Sequence, residues 1–223
     1  MNKPIDDFIA PHCADEIDIL YQDEDILLIS KPSGLLSLSG KNPLNNDSVH
    51  FRMSQKFPSI SLAHRLDFGT SGIMLLALNK KANANLSKQF QNRSVKKTYI
   101  SELLGHIAED SGIIDAAIAK DPENFPVLKL CEKLGKSAQS HFKIISRLAN
   151  PNRSRVLFTP VTGRTHQLRI HSLAIGHPIL GCDLYHCGNS AQLAPRLLLH
   201  AASLEFDHPS TGLRMHVASP CPF

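Results

Sequence analysis

Two apolar runs, Ile60-Ser61-Leu62-Ala63 and Ile73-Met74-Leu75-Leu76-Ala77-Leu78, close around a short polar stretch, His64-Arg65-Leu66-Asp67-Phe68-Gly69-Thr70-Ser71-Gly72. Read as buried strands, they hold that stretch as a loop on a rigid frame, with Asp67 carried on it. A carboxylate in such a place serves as nucleophile, as general acid or base, as metal ligand, or as cap of the Gly69–Gly72 turn through backbone amides. No metal-ligand pattern surrounds it, and the other uses stay open.

A second chemical cluster, Thr162-Gly163-Arg164-Thr165-His166-Gln167-Leu168-Arg169-Ile170-His171, reads as a turn leading into a helix. It sets Arg164 and Arg169 beside His166 and His171, with a glycine that lets backbone approach a ligand closely. Arginines and helix N-termini both bind phosphate, so an oligonucleotide backbone is a natural ligand. The plainer reading is an amphipathic helix with Leu168, Ile170, Leu173 and Ile175 packed inward and the charged residues solvated. The two histidines are five apart with no Glu where a metalloprotease helix needs one, and the Gly163 loop lacks the ending of a nucleotide-binding loop.

Strands outnumber helices elsewhere. Strands are expected over 17–22 and 25–30 around an acidic turn, followed by the turn Lys31-Pro32-Ser33-Gly34. One helix should start at an Asp47 or Ser48 cap and run to Phe57, and another should cover Lys80–Asn92. Residues 96–104 alternate as a strand with Tyr99 and Ser101 on one face, and 105–135 give loops and short strands. A hairpin over 140–147 and 153–160 turns at Asn150-Pro151-Asn152, and strands follow at 196–206 and 214–218. Sequential strands with few helices predict an α+β fold with a mixed, mainly antiparallel sheet core and flanking helices and loops. One domain is expected over 1–223.

With 24 Lys and Arg against 20 Asp and Glu, a net charge of +4 permits a polyanionic partner without demanding one. Asp15, Glu16, Asp18, Asp23, Glu24 and Asp25 crowd one end, which leaves the rest more basic. No apolar run is long enough to span a bilayer and the first residues lack a leader-type apolar core, so a soluble cytoplasmic protein with no membrane partner is expected. Five scattered cysteines suit reduced thiols. Cys182 and Cys187 bracket His186, but four residues rather than the usual two separate them and no second pair follows, so no metal is expected.

The loop string matches His-Arg-Leu-Asp-x-x-Thr-Ser-Gly at every fixed position, and in this it resembles the catalytic motif of the RluA family of RNA pseudouridine synthases. Thr162–His171 is similar to that family's Thr-Gly-Arg-x-His-Gln-Leu-Arg-x-His, and Gly176-His177-Pro178-Ile179-Leu180-Gly181 continues it as the family does. Tyr21–Gly34 resembles the family's first motif, Lys97-Thr98-Tyr99 its catalytic-tyrosine strand, and Arg196–Ala201 with His208-Pro209 its C-terminal signature. One departure stands out: the family's Leu-Gly-Asp is here Leu180-Gly181-Cys182-Asp183, which could reshape the loop near Tyr185. The likeness is to the short branch without an S4-like RNA-binding module.

This resemblance implies the pseudouridine synthase fold and an isomerase that detaches uracil from C1′, turns it and rejoins it through C5. Such a rearrangement is redox-neutral, and none of the motifs cradles a cofactor, so none is expected. Asp67 becomes the essential carboxylate, as nucleophile on the sugar or as base on a sugar proton, with Arg169 as its counter-cation. Tyr99 stacks on the uracil and assists proton removal at C5, or is a core tyrosine. Arg65 fills the gap left by the extruded nucleotide, or pairs with Asp67 at the surface. His64, Thr70, Arg164, His166 and Leu168 complete the substrate-binding set. The partner implied is structured RNA, a tRNA anticodon arm and/or a 23S rRNA stem-loop, bound by a monomer, with no DNA. Two rivals remain: a non-catalytic RNA-binding or assembly protein using the same basic face, and a carboxylate hydrolase acting on a nucleoside. The hydrolase wants a second carboxylate to activate water, and these motifs hold none.

Overall fold

The run Ser71–Ala77 is buried at every position, so the strand it forms is covered on both faces, as its unbroken apolar character demands. A computed structural model describes residues 8–223. The chain forms two units: one runs to Val95 and resumes over Glu205–Pro220, the other comprises Lys96–Leu204 with Cys221–Phe223. The absence of a leader was read from the first seven residues, which lie outside the described ones.

In the first unit β1 (Asp18–Gln22) and β2 (Ile26–Lys31) form a hairpin. The Asp23 carboxylate accepts the N–H groups of Asp25 and Ile26 at 2.8 and 2.9 Å, the side-chain turn that favours Asp at such corners. Helix α1 (Val49–Ser54) is capped by Ser48, whose hydroxyl accepts the Phe51 N–H at 3.0 Å. It stops before the expected Phe57: the Lys56 N–H bonds the Met53 carbonyl only three residues back, which tightens the last turn. Then come β3 (Ser61–Leu62), β4 (Ser71–Ala77) and α2 (Lys80–Gln91), the last capped by Asn79. β2 and β4 run antiparallel from Ile26 opposite Ala77 to Lys31 opposite Gly72, and β3 pairs with the far end of β4. Each fully buried Leu or Ile in this frame contributes roughly 1.5–3 kcal/mol, so the strands are stiff supports for what they connect.

In the second unit β5 (Lys96–Leu104), β6 (Ser111–Asp115), β7 (Ile118–Lys120), β8 (Leu128–Leu130), β9 (Gln139–Leu148) and β10 (Arg153–Pro160) precede α3 (Gln167–Ala174). Their order is β5-β10-β9-β6, all antiparallel, while β7 and β8 pair separately. The β9–β10 turn holds Asn150 at a φ of 56°, a left-handed conformation that Asn tolerates. Leu103, Val156, Phe158, Leu168, Ile170 and Ile179 belong to its core.

The chain returns through β11 (Leu199–Asp207), which starts three residues later than the sequence predicts, and β12 (Arg214–Ala218). In the first unit the Gln89 amide bonds both the carbonyl and the N–H of Asp207, at 2.6 and 2.9 Å. There His208 Nε2 meets Asp23 at 2.9 Å, and the Ser30 and Ser219 hydroxyls lie 3.1 Å apart. The expected α+β architecture with a mainly antiparallel sheet core is what the chain adopts. Among the described residues no helix is long and apolar enough to cross a membrane.

Candidate active site

Asp67 stands half-buried on the loop between β3 and β4. Its backbone carbonyl accepts the Thr70 N–H at 3.1 Å and closes the turn, so main chain contributes directly to the capping first considered for the carboxylate. The loop is clamped from the 31–37 segment. Ser37 Oγ donates to the Leu66 carbonyl at 2.7 Å and accepts the Leu66 N–H at 3.1 Å. Lys31, fully buried, donates through Nζ to the carbonyls of Pro32, Leu35 and Phe68 at 2.8, 2.7 and 3.2 Å. The Phe68 carbonyl also takes the Gly34 N–H at 2.9 Å, and the Gly69 carbonyl takes the Ser33 hydroxyl at 2.7 Å. The sequence reads Lys31-Pro32-Ser33-Gly34 as a turn; it also grips the chain just after Asp67, while Ser37 grips it just before.

His64 accepts the Leu75 N–H on Nε2 at 3.0 Å, which leaves its proton on Nδ1, and its ring stacks on Phe90 with centroids 4.8 Å apart. Thr70 is buried, whereas Arg65 is exposed beside the buried Leu66.

The second unit carries Tyr99, Arg164, His166, Leu168 and Arg169. Tyr99 is half-buried against the unit's apolar core, to which Leu168 belongs. At the start of α3, His166 adopts a left-handed φ of 55° without a side-chain cap. Gln167, 4% exposed, organises the turn instead: its Oε1 accepts from Thr162 Oγ1 and the Arg164 N–H at 2.6 and 3.0 Å, and its Nε2 donates to the Gln139 carbonyl and Ser140 Oγ. Arg164 is half-buried and donates through Nε to the Ser137 carbonyl at 3.0 Å. His171 is fully buried between Ser140 Oγ and the Ala116 carbonyl, and burial pushes its pKa below the ordinary histidine value, which favours the neutral ring.

Arg169 and His171 thus contradict the amphipathic-helix reading, in which charged residues face solvent; Leu168 and Ile170 do pack inward, and Leu173 and Ile175 are half-buried. Arg169, 5% exposed, is tolerated in the interior because it has specific partners. Its Nε donates to Cys182 Sγ at 3.3 Å, its Nη2 donates to Asp183 Oδ1 at 2.5 Å, and its guanidinium carbon lies 5.2 Å from the centre of the Tyr185 ring. Tyr185 is itself tied down: its oxygen accepts the Leu128 N–H at 2.8 Å and lies 2.8 Å from His166 Nδ1. Gly181 turns the chain into this group at a φ of +71°, and a Cβ there would lie 1.9 Å from the Arg196 carbonyl oxygen, so only glycine fits.

The Cys182-Asp183 departure noted in the sequence therefore lies against a candidate catalytic residue. Sequence reasoning assigned no function to Asp183, Tyr185 or Lys31; the displaced Asp was the one available signal for the first. Cys182 is buried against Arg169 and Cys187 is exposed, and among the described residues no group of three His, Cys, Asp or Glu could hold a metal ion.

The family described as RNA pseudouridylate synthase matches residues 25–174. The chain is 47% identical over 198 residues to the Dual-specificity RNA pseudouridine synthase RluA of Yersinia pestis, covering 89% of this chain and 96% of that protein. It is 42% identical over 205 residues to the protein of the same name from Escherichia coli (strain K12), covering 92% and 93%. Among solved structures, Human RNA Pseudouridylate Synthase Domain Containing 1 resembles it with a TM-score of 0.78 and 30% identity, over 96% of this chain and 86% of that one.

Proposed function

The chain belongs to the RNA pseudouridylate synthase family, and from that premise we propose which residues perform the isomerisation and on what RNA. The protein is an RNA pseudouridine synthase, an isomerase that converts uridine to its C5-linked isomer. Asp67 is the reacting carboxylate, by attack on the sugar or by removal of a sugar proton; both routes use the same group. The observation that carries this assignment is the clamp: the carbonyls of Leu66, Phe68 and Gly69 are all gripped from 33–37 and Lys31, which fixes the loop that bears Asp67. Tyr99 stacks on the uracil and assists at C5, and Arg169 supplies positive charge to the reacting carboxylate. Arg65, Arg164 and His166 contact the RNA, while His64, Thr70 and Leu168 serve it by holding the segments that do.

The substrates proposed are stem-loops of tRNA and large-subunit rRNA, bound by a cytoplasmic monomer whose residues 1–223 act as one catalytic domain. In support of the last point, the family match over 25–174 runs across the sequence boundary at Val95. Mapping pseudouridine in total RNA from cells with and without the protein tests the substrate assignment. Sites lost from both a tRNA anticodon arm and large-subunit rRNA are expected, with purified protein restoring them at unchanged RNA mass. Release of free uracil would instead make it a hydrolase, and an unchanged map would remove both RNAs as substrates.

Arg65 is exposed on the loop, and a planar cation can stack and donate in a vacated base position. Arg65→Ala should slow single-turnover conversion of a folded stem-loop at least about tenfold, because extrusion costs a few kcal/mol. It should slow conversion of a relaxed version of the same sequence far less, and Arg65→Lys should recover little. Equal losses on both RNAs would move Arg65 from extrusion to chemistry.

A further inference from the structure

Arg169 poses a physical problem that its position in α3 does not solve. A guanidinium that is 5% exposed has left most of its hydration behind, and a buried cation needs strong partners to hold one orientation. Cys182 Sγ, on Nε, is a weak acceptor, and the Tyr185 ring attracts the cation without fixing its rotation about the ring normal. The Asp183 carboxylate on Nη2 adds charge and direction. Its own side chain is 76% exposed, against 6% for that of Arg169, so the pair joins a buried cation to a hydrated anion.

We propose that Asp183 is a positioning residue for the isomerisation: through its hydrogen bond to Nη2 it sets the orientation of the Arg169 guanidinium, with the Tyr185 ring as the floor. The inference rests on the catalytic reading of Arg169 given above. An exposed carboxylate is suited to this task because water keeps it partly solvated and screens its charge, so it directs the guanidinium without cancelling the positive charge that the reaction uses. Its place on the chain fits as well. Gly181, which no other residue can replace, turns the backbone so that Cys182 points into the interior and Asp183 reaches the outer edge of the same guanidinium. The Leu184 N–H also donates to Asp183 Oδ1, at 2.8 Å, which aims that oxygen.

The test is steady-state and single-turnover kinetics of Asp183→Asn, Asp183→Ala and Asp183→Glu on one stem-loop RNA, with thermal melts of each protein and Asp67→Asn as a reference. Misplacing a participating group by about 1 Å can cost about a hundredfold, and the Cys182 and Tyr185 contacts remain, so kcat should fall about tenfold in Asp183→Asn and further in Asp183→Ala. KM should stay level or drop, since an exposed negative charge has been removed from a protein that binds a polyanion. Asp183→Glu should regain most of the kcat. Asp183→Asn keeps an oxygen acceptor for Nη2 and should melt close to wild type, whereas Asp183→Ala strips a buried cation of its carboxylate and should melt lower. A kcat within twofold of wild type in both Asp183→Asn and Asp183→Ala overturns the proposal, as does a loss in Asp183→Asn that follows KM or the melting temperature instead of kcat. If wild type isomerises, Asp67→Asn is dead and the Asp183 variants are normal, only this inference fails. If Asp67→Asn is as active as wild type, the catalytic reading beneath it fails first.

Discussion

Asp67→Asn is expected to lower the rate of isomerisation by at least about a thousandfold while RNA affinity stays within about twofold of wild type. Asn is nearly isosteric with Asp and retains the backbone carbonyl that closes the turn with Thr70, so the loop should keep its shape. What it loses is the anion. An amide can neither form the sugar ester nor take a sugar proton, and acid–base contributions alone are commonly about 10²–10⁴-fold. Affinity for a structured RNA comes largely from phosphate contacts that this change does not touch. Single-turnover conversion and filter binding on the same stem-loop separate the two quantities. Conversion near the wild-type rate would show that the carboxylate is not the reacting group.

Lys31→Met should be the most damaging change away from the reacting groups. Met fills a similar volume, so the loss isolates the three hydrogen bonds of Nζ. The Phe68 carbonyl would keep the Gly34 N–H, but the Pro32 and Leu35 carbonyls would lose a charged donor, at about 1–3 kcal/mol for each acceptor stranded in the interior. Relief from burying an ammonium group offsets part of this. A net loss of about 2 kcal/mol is expected, which for a chain of this size lowers the melting temperature by about 4–8 °C. Activity should fall further than stability suggests, by about a hundredfold, because the Phe68 carbonyl, on the residue after Asp67, is left with the Gly34 N–H alone and the loop loosens beside the carboxylate. A calorimetric scan beside single-turnover rates checks both. An unchanged melting point with normal turnover would mean that Ser33, Gly34 and Ser37 hold the loop without help from the lysine.

Strands and capped helices were largely legible in the sequence because their signals are local: alternation over 96–104, a Ser48 cap three residues before the Phe51 N–H that it accepts, Asn150-Pro151-Asn152 at a hairpin corner. The Asp67 loop was legible for the same reason, since two apolar runs bracket it. Arg169 and Lys31 show where that kind of reading stops. A lysine beside Pro and Gly looks like a solvated turn residue, and an arginine on a helix looks like part of its polar face. Whether either is buried depends on acceptors far along the chain: the Phe68 carbonyl for one, Cys182 and Asp183 for the other. Asp183 was visible only as an oddity of spacing, and its partner could not be guessed from that.

The return of Glu205–Pro220 to the first unit has a consequence for how the protein comes into being. Asp67 and its clamp are translated early, but Asp207, His208 and Ser219, which bond Gln89, Asp23 and Ser30, are translated after all of Lys96–Leu204. At roughly 5–20 residues per second the nascent chain carries an unfinished first unit for on the order of ten seconds. Throughout that interval the apolar strands β2 and β4 lack part of their final surroundings, so this is the window in which a holdase chaperone would find its best target and the mature fold its greatest risk of loss.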